Sequence, residues 1–395
     1  MIIWPLAFFI LILVGAIGLD LFLIFKTWFS RIHFGKYENE RDWEKPIITT
    51  VARWLKRTPK VPLTDQRRWV ALDIIKGQYT RGEIQYWQEA ALLMALPSPQ
   101  FISEVDRFIN KKITPSGEWK TCPQQIDGAI LAYAILKNNR LNGECYQQAM
   151  DEMWQVIQAH IGKDGTVMYR KSMVDYRYVD TIGFICPFLI TYGVKNNKPE
   201  CIDLAIHQIE SFFTYGMSSQ MAVPAHAYHI KSKVGTGLYG WGRGMAWLAL
   251  GVIDSWKELP NHHHYKHELE LRITQLAKVI LSLQQDSGSW SWLMTRKEAR
   301  VDSSTTATLG YFLAHAAYIE EIADQCCQGR DKAIHYLMKV TRRTGAIDFS
   351  QGDTKDIGVY SQLFDILPFT QGMSLRLLAE KRRYQETKKD RQAVS

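Results

Sequence analysis

The chain has 395 residues, of which 46% are hydrophobic, 12% aromatic and 22% charged. This balance excludes a disordered chain, a collagen-like repeat and a multi-span transporter, and the length suits one large domain or two modest ones. A net charge of +8 is compatible with nucleic acid, an anionic membrane surface or an acidic substrate. Because the sequence has no zinc-finger spacing, glycine-rich phosphate loop or base-stacking motif, we expect no nucleic-acid partner.

The N-terminal segment predicts a membrane anchor. Residues from Ile2 to Phe25 are almost wholly apolar, with Asp20 the only charge, and a helix of this length spans about 30 Å of hydrocarbon. A cleaved signal peptide would need a basic start, a shorter apolar core and a small-residue cleavage site, and none of these is present. We therefore predict one uncleaved transmembrane helix over residues 1–26, which contacts the membrane through residues 2–25.

The charges after this helix predict its orientation. Lys26, Arg31 and Lys36 follow the apolar run, so the positive-inside rule places the large domain in the cytoplasm, on the inner (cell) membrane. The six cysteines show no disulfide-framework spacing, which favours a reducing compartment. An extracytoplasmic domain remains the alternative.

Two flanking segments complete the expected organisation. Residues 27–62 carry mixed charge and three prolines and are predicted to be a juxtamembrane linker. Residues 381–395 are strongly basic, as in a segment that contacts anionic lipid or in a solvated helical end. The domain itself is expected over residues 63–380.

A recurring pattern within this domain predicts its fold. A polar or glycine-containing start is followed by an apolar helix at six places, which begin at Gln88, Asp127, Asp180, Trp241, Asp302 and Gln371. The spacings are about 39, 53, 61, 61 and 69 residues, which suit a helix pair with a loop. Amphipathic helices are predicted between them over residues 144–160, 200–213, 265–284 and 319–341. Six apolar inner helices that alternate with outer ones predict an all-α protein, an (α/α)6 toroid or six-hairpin barrel.

In a closed ring of this kind, the polar starts of the inner helices meet at one end. Carboxylates at such starts either carry chemistry or cap the helices. Both interpretations are open for Asp127, Asp180 and Asp302.

Four motifs in this order resemble the unsaturated glycuronyl and rhamnogalacturonyl hydrolases of glycoside hydrolase families 88 and 105. The motifs are residues 178–184 with Pro187, His226-Ala227-Tyr228, residues 240–247 and residues 301–307. The resemblance extends from about Thr80 to Glu380. It implies a barrel whose open end binds a sugar with a 4,5-double bond beside its carboxylate.

The resemblance also implies the roles of two carboxylates. Asp180 matches the acid that protonates C4 and then takes a proton from the water that attacks C5. Asp127 matches the second carboxylate, which orients water and sugar. No metal and no organic cofactor is implied. The chemistry needs a carboxyl that is protonated at working pH, a state favoured by burial beside aromatic rings and near a second carboxylate.

Further side chains in the matched motifs are predicted to bind the substrate, namely Tyr178, His226, Tyr228, Trp241, Arg243, Trp247 and Asp302. Arg243 could bind the substrate carboxylate through two hydrogen bonds, although a structural ion pair is the alternative. Trp241 and Trp247 offer faces for sugar stacking or for core packing. The run His262-His263-His264 lacks carboxylate or cysteine ligands at a suitable spacing and is interpreted as a solvated loop.

The leading hypothesis is a membrane-anchored glycoside hydrolase that acts on an unsaturated, acidic oligosaccharide. Two alternatives stay open. One is a glycosidase on intact saccharides with Asp127 and Asp180 as paired carboxylates. The other is a non-catalytic sugar-binding component of envelope polysaccharide assembly. It predicts that both aspartates act as helix caps or form ion pairs away from a cleft.

Overall fold

The computed structural model describes residues 3–61, 84–96, 99–138 and 146–394, together with Ala71 and Ile75. The predicted domain start at residue 63 and the beginning of the resemblance at Thr80 lie outside these residues. Met1 and Ile2 at the predicted anchor and Ser395 at the predicted tail also lie outside them.

The described residues form thirteen helices. The N-terminal helix α1 (Ile3–Arg31) extends from the domain, and the other twelve helices form two concentric layers. The outer helices are α2 (Glu40–Lys56), α4 (Ile102–Lys112), α6 (Gln147–Gln158), α8 (Pro199–Tyr215), α10 (Tyr265–Ser282) and α12 (Ala323–Lys339). The inner helices are α3 (Tyr86–Ala95), α5 (Gly128–Leu136), α7 (Asp180–Lys195), α9 (Gly242–Glu258), α11 (Ser303–Ala316) and α13 (Pro368–Val394).

The inner helices form a closed ring. Each packs against the next in chain order, and α13 packs against α3. The mostly helical class is therefore confirmed, and the inner helices begin within three residues of the six predicted starts. They are apolar on all sides because they are covered by neighbours in the ring and by the outer layer.

The inner helices α7 and α9 pack closely, because two glycines allow the backbones to approach. A Cβ at Gly183 would lie 2.6 Å from the Trp247 ring, and one at Gly251 would lie 2.6 Å from the Ile182 carbonyl oxygen. Any larger residue would therefore force the two helices apart. This contact fixes Asp180, at the start of α7, relative to Arg243 in the first turn of α9.

The region predicted to be a juxtamembrane linker differs in the structure. Within residues 27–62, α2 begins after Asn39, whose side chain accepts a hydrogen bond from the Asp42 N–H. Trp43, Ile47 and Val51 on its inner face are fully buried, and the helix packs against α3, α4 and α13. It completes the set of six outer helices and lies beside the first and the last inner helix, α3 and α13. The three prolines and the mixed charge are typical of a linker. The apolar stripe at i, i+4 and i+8 is too short to indicate a helix from the sequence alone.

The basic C-terminal segment continues α13 to Val394. The Lys381 ammonium pairs with Glu40 at 2.6 Å and with Asp331 at 3.0 Å, and Arg382 pairs with Glu44 of α2. The beginning of this segment is thus bound to the outer layer.

Five short strands lie at the end where the inner helices begin. β1 (Tyr176–Tyr178), β2 (Ala227–His229) and β3 (Val234–Thr236) form an antiparallel sheet with β2 in the centre. Tyr178 pairs with Ala227 in this sheet, which places His226 beside the start of α7. β4 (Ser350–Gln351) pairs with β5 (Phe364–Asp365), and the loop between them also lies at this end.

Candidate active site

A cavity of about 260 Å³ opens at the end of the ring where the inner helices begin. Its walls come from the segments before α3, α7, α9 and α13 and from the first turns of those helices. The lining residues are Gln85, Trp87, Tyr169, Arg170, Met173, Tyr178, Asp180, Phe184, His226, Trp241, Arg243, Trp247, Asp353, Thr354, Lys355 and Asp356.

Asp180 lines this cavity, and one of its two carboxylate oxygens has no hydrogen-bond partner. It is the first residue of α7 and does not cap the helix, because the capping position belongs to Val179. The Oδ2 atom is buried and accepts no hydrogen bond. It lies 3.6 Å from Nε2 of His226. The alternative in which Asp180 is a helix cap therefore does not hold.

His226 is held beside Asp180 by its backbone and by aromatic rings. Its carbonyl accepts a hydrogen bond from the Val179 N–H at 3.0 Å. The Tyr178 ring meets the imidazole edge-on at 5.4 Å between centroids, and the Trp241 ring lies at 4.6 Å. The imidazole is buried, so its position relative to the Asp180 carboxyl is fixed by packing.

Asp127 lies behind the cavity wall rather than on its surface. Its Oδ2 is 3.9 Å from Nη2 of Arg170, which does line the cavity. Its Oδ1 is buried without a hydrogen-bond partner, and its side chain makes no helix-capping bond. Burial raises the pKa of Asp127 above the ordinary value for aspartate, and the nearby Asp353 raises it further, against the opposing charge of Arg170.

Asp353 is a further carboxyl in the site, and the sequence interpretation missed it. It lies in the loop between β4 and β5, where its Oδ2 accepts a hydrogen bond from the Gln85 amide at 2.5 Å. Burial raises the pKa of Asp353, Arg243 opposes this shift, and the charge of Asp180 adds to it. Asp127 and Asp353 are therefore more readily protonated than ordinary aspartates.

Arg243 lines the cavity, but its hydrogen-bond donors are directed at the protein. The guanidinium donates to the backbone carbonyls of Gln351 at 2.6 Å and Gly352 at 2.7 Å, and to the Thr354 hydroxyl at 3.1 Å. It thereby fixes the loop that carries Asp353. In the described residues, Arg243 is a positioning group, whereas the sequence predicted contact with the substrate carboxylate.

Aromatic side chains form the remaining wall of the cavity. Trp247 packs against Phe184 with 4.7 Å between ring centroids, and Tyr178 stacks on Tyr169 at 5.0 Å. Trp241 and Trp247 are almost fully buried, although both belong to the lining of the cavity. Their burial agrees with the predicted core packing, and stacking on a sugar stays a prediction.

Two predicted binding residues are not brought to the cavity. Tyr228 is buried, and its ring packs against Phe212 and Tyr215. Asp302 is fully buried and caps α11, where it accepts hydrogen bonds from the N–H groups of Ser304 and Thr305. The assignment of both residues to substrate binding is wrong for this structure, because motif neighbours on a strand or a cap point into the core.

Arg170 and Asp353 were missed although the sequence carries a signal for them. Both lie in loops that lead from an outer to an inner helix, and these two loops reach the end with the cleft. The Arg170 guanidinium stacks on the Tyr169 ring at 4.0 Å, and its side chain is partly exposed. In the part of the chain that is described, no group of three or more histidine, cysteine or acidic side chains is arranged to hold a metal ion.

Several proteins of known structure are similar to this chain in fold. The chain is similar to a possible member of glycoside hydrolase family 105 from Salmonella enterica serovar Paratyphi A, with 16% identity, 88% of this chain and 96% of that chain covered, and a TM-score of 0.74. It is also similar to an unsaturated glucuronyl hydrolase specific for heparin, with 15% identity, 87% and 98% coverage and a TM-score of 0.68.

A third similar structure is the unsaturated glucuronyl hydrolase from Bacillus sp. GL1, with 13% identity, 86% and 95% coverage and a TM-score of 0.62. At these identities the likeness shows a common fold. No curated protein matches the sequence significantly.

The model of Glycosyl Hydrolase Family 88 matches residues 49–384. The chain therefore belongs to this family and is a glycoside hydrolase.

Proposed function

We propose that this hydrolase removes a terminal unsaturated uronic acid from an oligosaccharide by hydrating its 4,5-double bond. The observation that carries the proposal is the partly exposed Asp180 carboxyl, whose buried Oδ2 has no hydrogen-bond partner and lies beside His226 in an aromatic cleft. A carboxyl that must hold a proton and then accept one cannot be permanently engaged by a cap or an ion pair.

The proposed chemistry begins with transfer of the Asp180 proton to C4, which breaks the double bond and leaves positive charge at C5 and the ring oxygen. The resulting carboxylate takes a proton from water as the water oxygen bonds to C5. The product is a hemiketal, and Asp180 is protonated again. The hemiketal opens to a ketone at C5, and the hemiacetal left at C1 then expels the remaining saccharide as an alcohol. His226 lies within reach of the water and of sugar hydroxyls.

Arg170 is the group that we assign to the substrate carboxylate. Its guanidinium lines the cavity, is partly exposed, and lies 3.9 Å from Asp127, so an incoming carboxylate can share it. Arg243 is less suited, because its donors already bind the Gln351–Gly352 backbone and Thr354. A planar guanidinium can donate two parallel hydrogen bonds to a carboxylate.

The raised pKa values of Asp127 and Asp353 support an acidic substrate. Because burial raises both pKa values, these two groups oppose a uronate less than ordinary aspartates at the same positions would.

Membrane anchoring through α1 is the second part of the proposal. The helix has a 28-residue candidate span, Trp4–Arg31, which contains an 18-residue stretch of mean hydropathy 2.8 that buries nothing against the domain. A signal sequence passes the same test. If α1 were cleaved off after residue 31, however, the fully buried Asp348 would lose Arg31, whose Nε lies 2.7 Å from its carboxylate. Retention of α1 avoids the loss of that partner.

Turnover of matched substrates tests the chemical proposal. The full chain in detergent is given a disaccharide with a terminal 4,5-unsaturated uronic acid and, separately, the same disaccharide with a saturated uronic acid. We expect turnover of the unsaturated sugar alone, followed by the loss of its ultraviolet absorbance. Cleavage of the saturated disaccharide at a similar rate would contradict the proposal and favour a glycosidase that acts on intact saccharides.

A further inference from the structure

A buried ion pair connects the last turn of α1 to the helical domain. The Arg31 guanidinium donates to both oxygens of Asp348, from Nε at 2.7 Å and from Nη2 at 3.1 Å. Asp348 is fully buried and also accepts from Nε of Arg342 at 2.6 Å. Burial raises the pKa of Asp348, but the two guanidinium groups outweigh this effect and hold the pKa below the ordinary value. The pair therefore stays charged at neutral pH.

Backbone and ring contacts reinforce this attachment. The Arg343 N–H donates to the Ser30 carbonyl at 2.9 Å, and the Gly35 N–H donates to the Lys339 carbonyl at 2.9 Å. The Phe34 and Phe349 rings are 5.4 Å apart. We call this set of contacts between residues 30–35 and residues 339–349 the α1 joint. It connects the helix to the domain at a defined angle, which a flexible linker would not do.

The α1 joint lies at the end of the ring that contains the cleft. The Phe349 carbonyl accepts a hydrogen bond from the N–H of Ser303, the first residue of inner helix α11. Asp353 follows Asp348 by five residues, so its Cα lies within about 18 Å of the joint even if the chain is fully extended. The opposite end of the ring is farther away by the length of an inner helix, about 24 Å for α7.

The surface of α1 indicates where the membrane boundary lies. Trp28, Phe29 and Ile32 are 57%, 60% and 54% exposed, although they are large and apolar. Aromatic residues of this kind are enriched where a membrane helix leaves the hydrocarbon. Because the joint begins at Ser30, within the same two turns, the domain starts at the membrane surface.

We propose that the cleft faces the membrane and that the natural substrate is a saccharide whose reducing end is attached to a lipid of that membrane. This inference rests on the proposed function, because it concerns how the unsaturated terminal sugar reaches Asp180. A rigid joint at the cleft end holds the opening close to the bilayer. A substrate in the same bilayer is then presented at high effective concentration.

The charge around the joint suits an anionic lipid linkage. The Arg300 guanidinium lies over the Phe349 ring at 5.6 Å, and that of Arg31 lies over the same ring at 5.0 Å. Lys26 and Lys36 flank the joint in sequence. Basic side chains at a membrane surface attract phosphate-bearing headgroups and linkages.

The test compares two substrates with the same unsaturated uronic acid at the non-reducing end. One is a soluble oligosaccharide, and in the other the same oligosaccharide is attached by its reducing end to a lipid in the vesicles that hold the full-length protein. We expect kcat/KM to be about tenfold or more higher for the lipid-attached form. Equal values, or a preference for the soluble form, would overturn the inference and leave the proposed chemistry intact. Failure to cleave either substrate would overturn the proposed function.

The double variant Arg31→Gln/Phe34→Ala breaks the α1 joint without touching the cleft. It should keep the activity on the soluble substrate within about twofold and lose most of the preference for the lipid-attached one. Arg41→Gln is the matched control, since it removes an exposed charge near the joint that makes no contact with Asp348. A preference that survives in the double variant would contradict the role of the joint.

A distance measurement on the intact joint provides an independent test. A dye is placed by an unnatural amino acid at Val359, an exposed residue of the loop between β4 and β5, or at Lys195, at the far end of α7. Energy transfer to acceptors on the vesicle lipids should be stronger from position 359. Equal transfer, or stronger transfer from position 195, would contradict a cleft that faces the membrane.

Discussion

The two ends of the inner ring contain similar residue types but differ in how these residues are paired. At the end away from the cleft, Asp254 accepts hydrogen bonds from Tyr311 at 2.7 Å and from Arg376 at 2.9 Å. At the cleft end, Oδ1 of Asp127 and Oδ2 of Asp180 are buried and accept none. Identical side chains thus serve structure at one end and are available for chemistry at the other.

The pKa values show the same contrast. Burial raises the pKa of Asp254, but Arg376 and Lys257 outweigh it and hold that pKa well below the ordinary value. Burial raises the pKa of Asp127, and the partly exposed Arg170 does not reverse the shift. A buried carboxyl without sufficient compensation costs stability, and such groups concentrate at functional sites. The comparison therefore identifies the cleft end as the active end without reference to sequence motifs.

The largest expected effect follows from removal of the proton donor at the cleft end. Asp180→Asn should lower kcat by about 10²–10⁴-fold, the usual contribution of a general acid and base, with little change in KM. The rate is measured as the loss of ultraviolet absorbance of the unsaturated sugar. Asp175→Asn, five residues earlier and in an exposed ion pair with Lys231, is the control and should retain full activity.

The same type of substitution at the opposite end should affect folding. Asp254→Asn leaves Arg376 buried without a counter-charge, and the free energy of unfolding should fall by about 3–5 kcal/mol. Because the folded-state pKa of Asp254 is lowered, its contribution is present above about pH 4 and is lost as the pH falls through that lowered value. Chemical denaturation of the full chain in detergent measures both effects.

Asp180→Asn is the matched comparison for this stability measurement. Because one carboxylate oxygen of Asp180 has no partner, its replacement should change the free energy of unfolding by no more than about 0.5 kcal/mol. A loss as large as that of Asp254→Asn would abolish the distinction between the two ends.

Asp302 offers an intermediate case, since it lies at the cleft end but is fully paired. Besides capping α11, it accepts a hydrogen bond from the Gln351 N–H at 2.9 Å. Asp302→Ala should lower the free energy of unfolding by about 2 kcal/mol, the upper range for loss of a cap. A raised KM with unchanged stability would instead return Asp302 to the substrate site.

At Asp127 we expect an effect on stability that is smaller than at Asp254 or Asp302 and opposite in sign. Asp127→Asn should raise the free energy of unfolding at pH 7 by about 1 kcal/mol, as substitutions at strained functional sites commonly do, while it lowers turnover. Because the folded-state pKa is raised, the stability that the wild-type group provides is complete below about pH 4 and is lost as the pH rises through the raised value. The gain of the variant should therefore vanish near pH 4. A variant less stable than the wild type at pH 7 would contradict this account.

The periodicity of the sequence predicted the inner ring well, because helices buried on all sides leave long apolar runs with small residues at close contacts such as Gly183. It failed for α2, whose apolar stripe depends on burial against α3 and α13. The motif order identified Asp180, His226 and Arg243 as neighbours of the cleft. It could not tell that the donors of Arg243 are used by backbone carbonyls, since only the folded loop reveals those acceptors.

Loops account for the remaining differences. Asp353 and Arg170 belong to segments without regular periodicity, and their place in the cavity follows from which end of the ring their loops reach. Tyr228 and Asp302 stand next to true cleft residues in sequence but point into the core. Side-chain direction on a strand or at a helix cap is fixed by packing that no local pattern records.

The most direct test of the central claim is the fate of the proton that Asp180 delivers. The full chain is supplied with the unsaturated disaccharide in D2O, and the released sugar is analysed by mass spectrometry and NMR, with preformed product in D2O as the exchange control. The account predicts one deuteron at C4, added to a single face. A released sugar without deuterium at C4 would contradict it, because hydrolysis at the glycosidic carbon alone leaves C4 untouched.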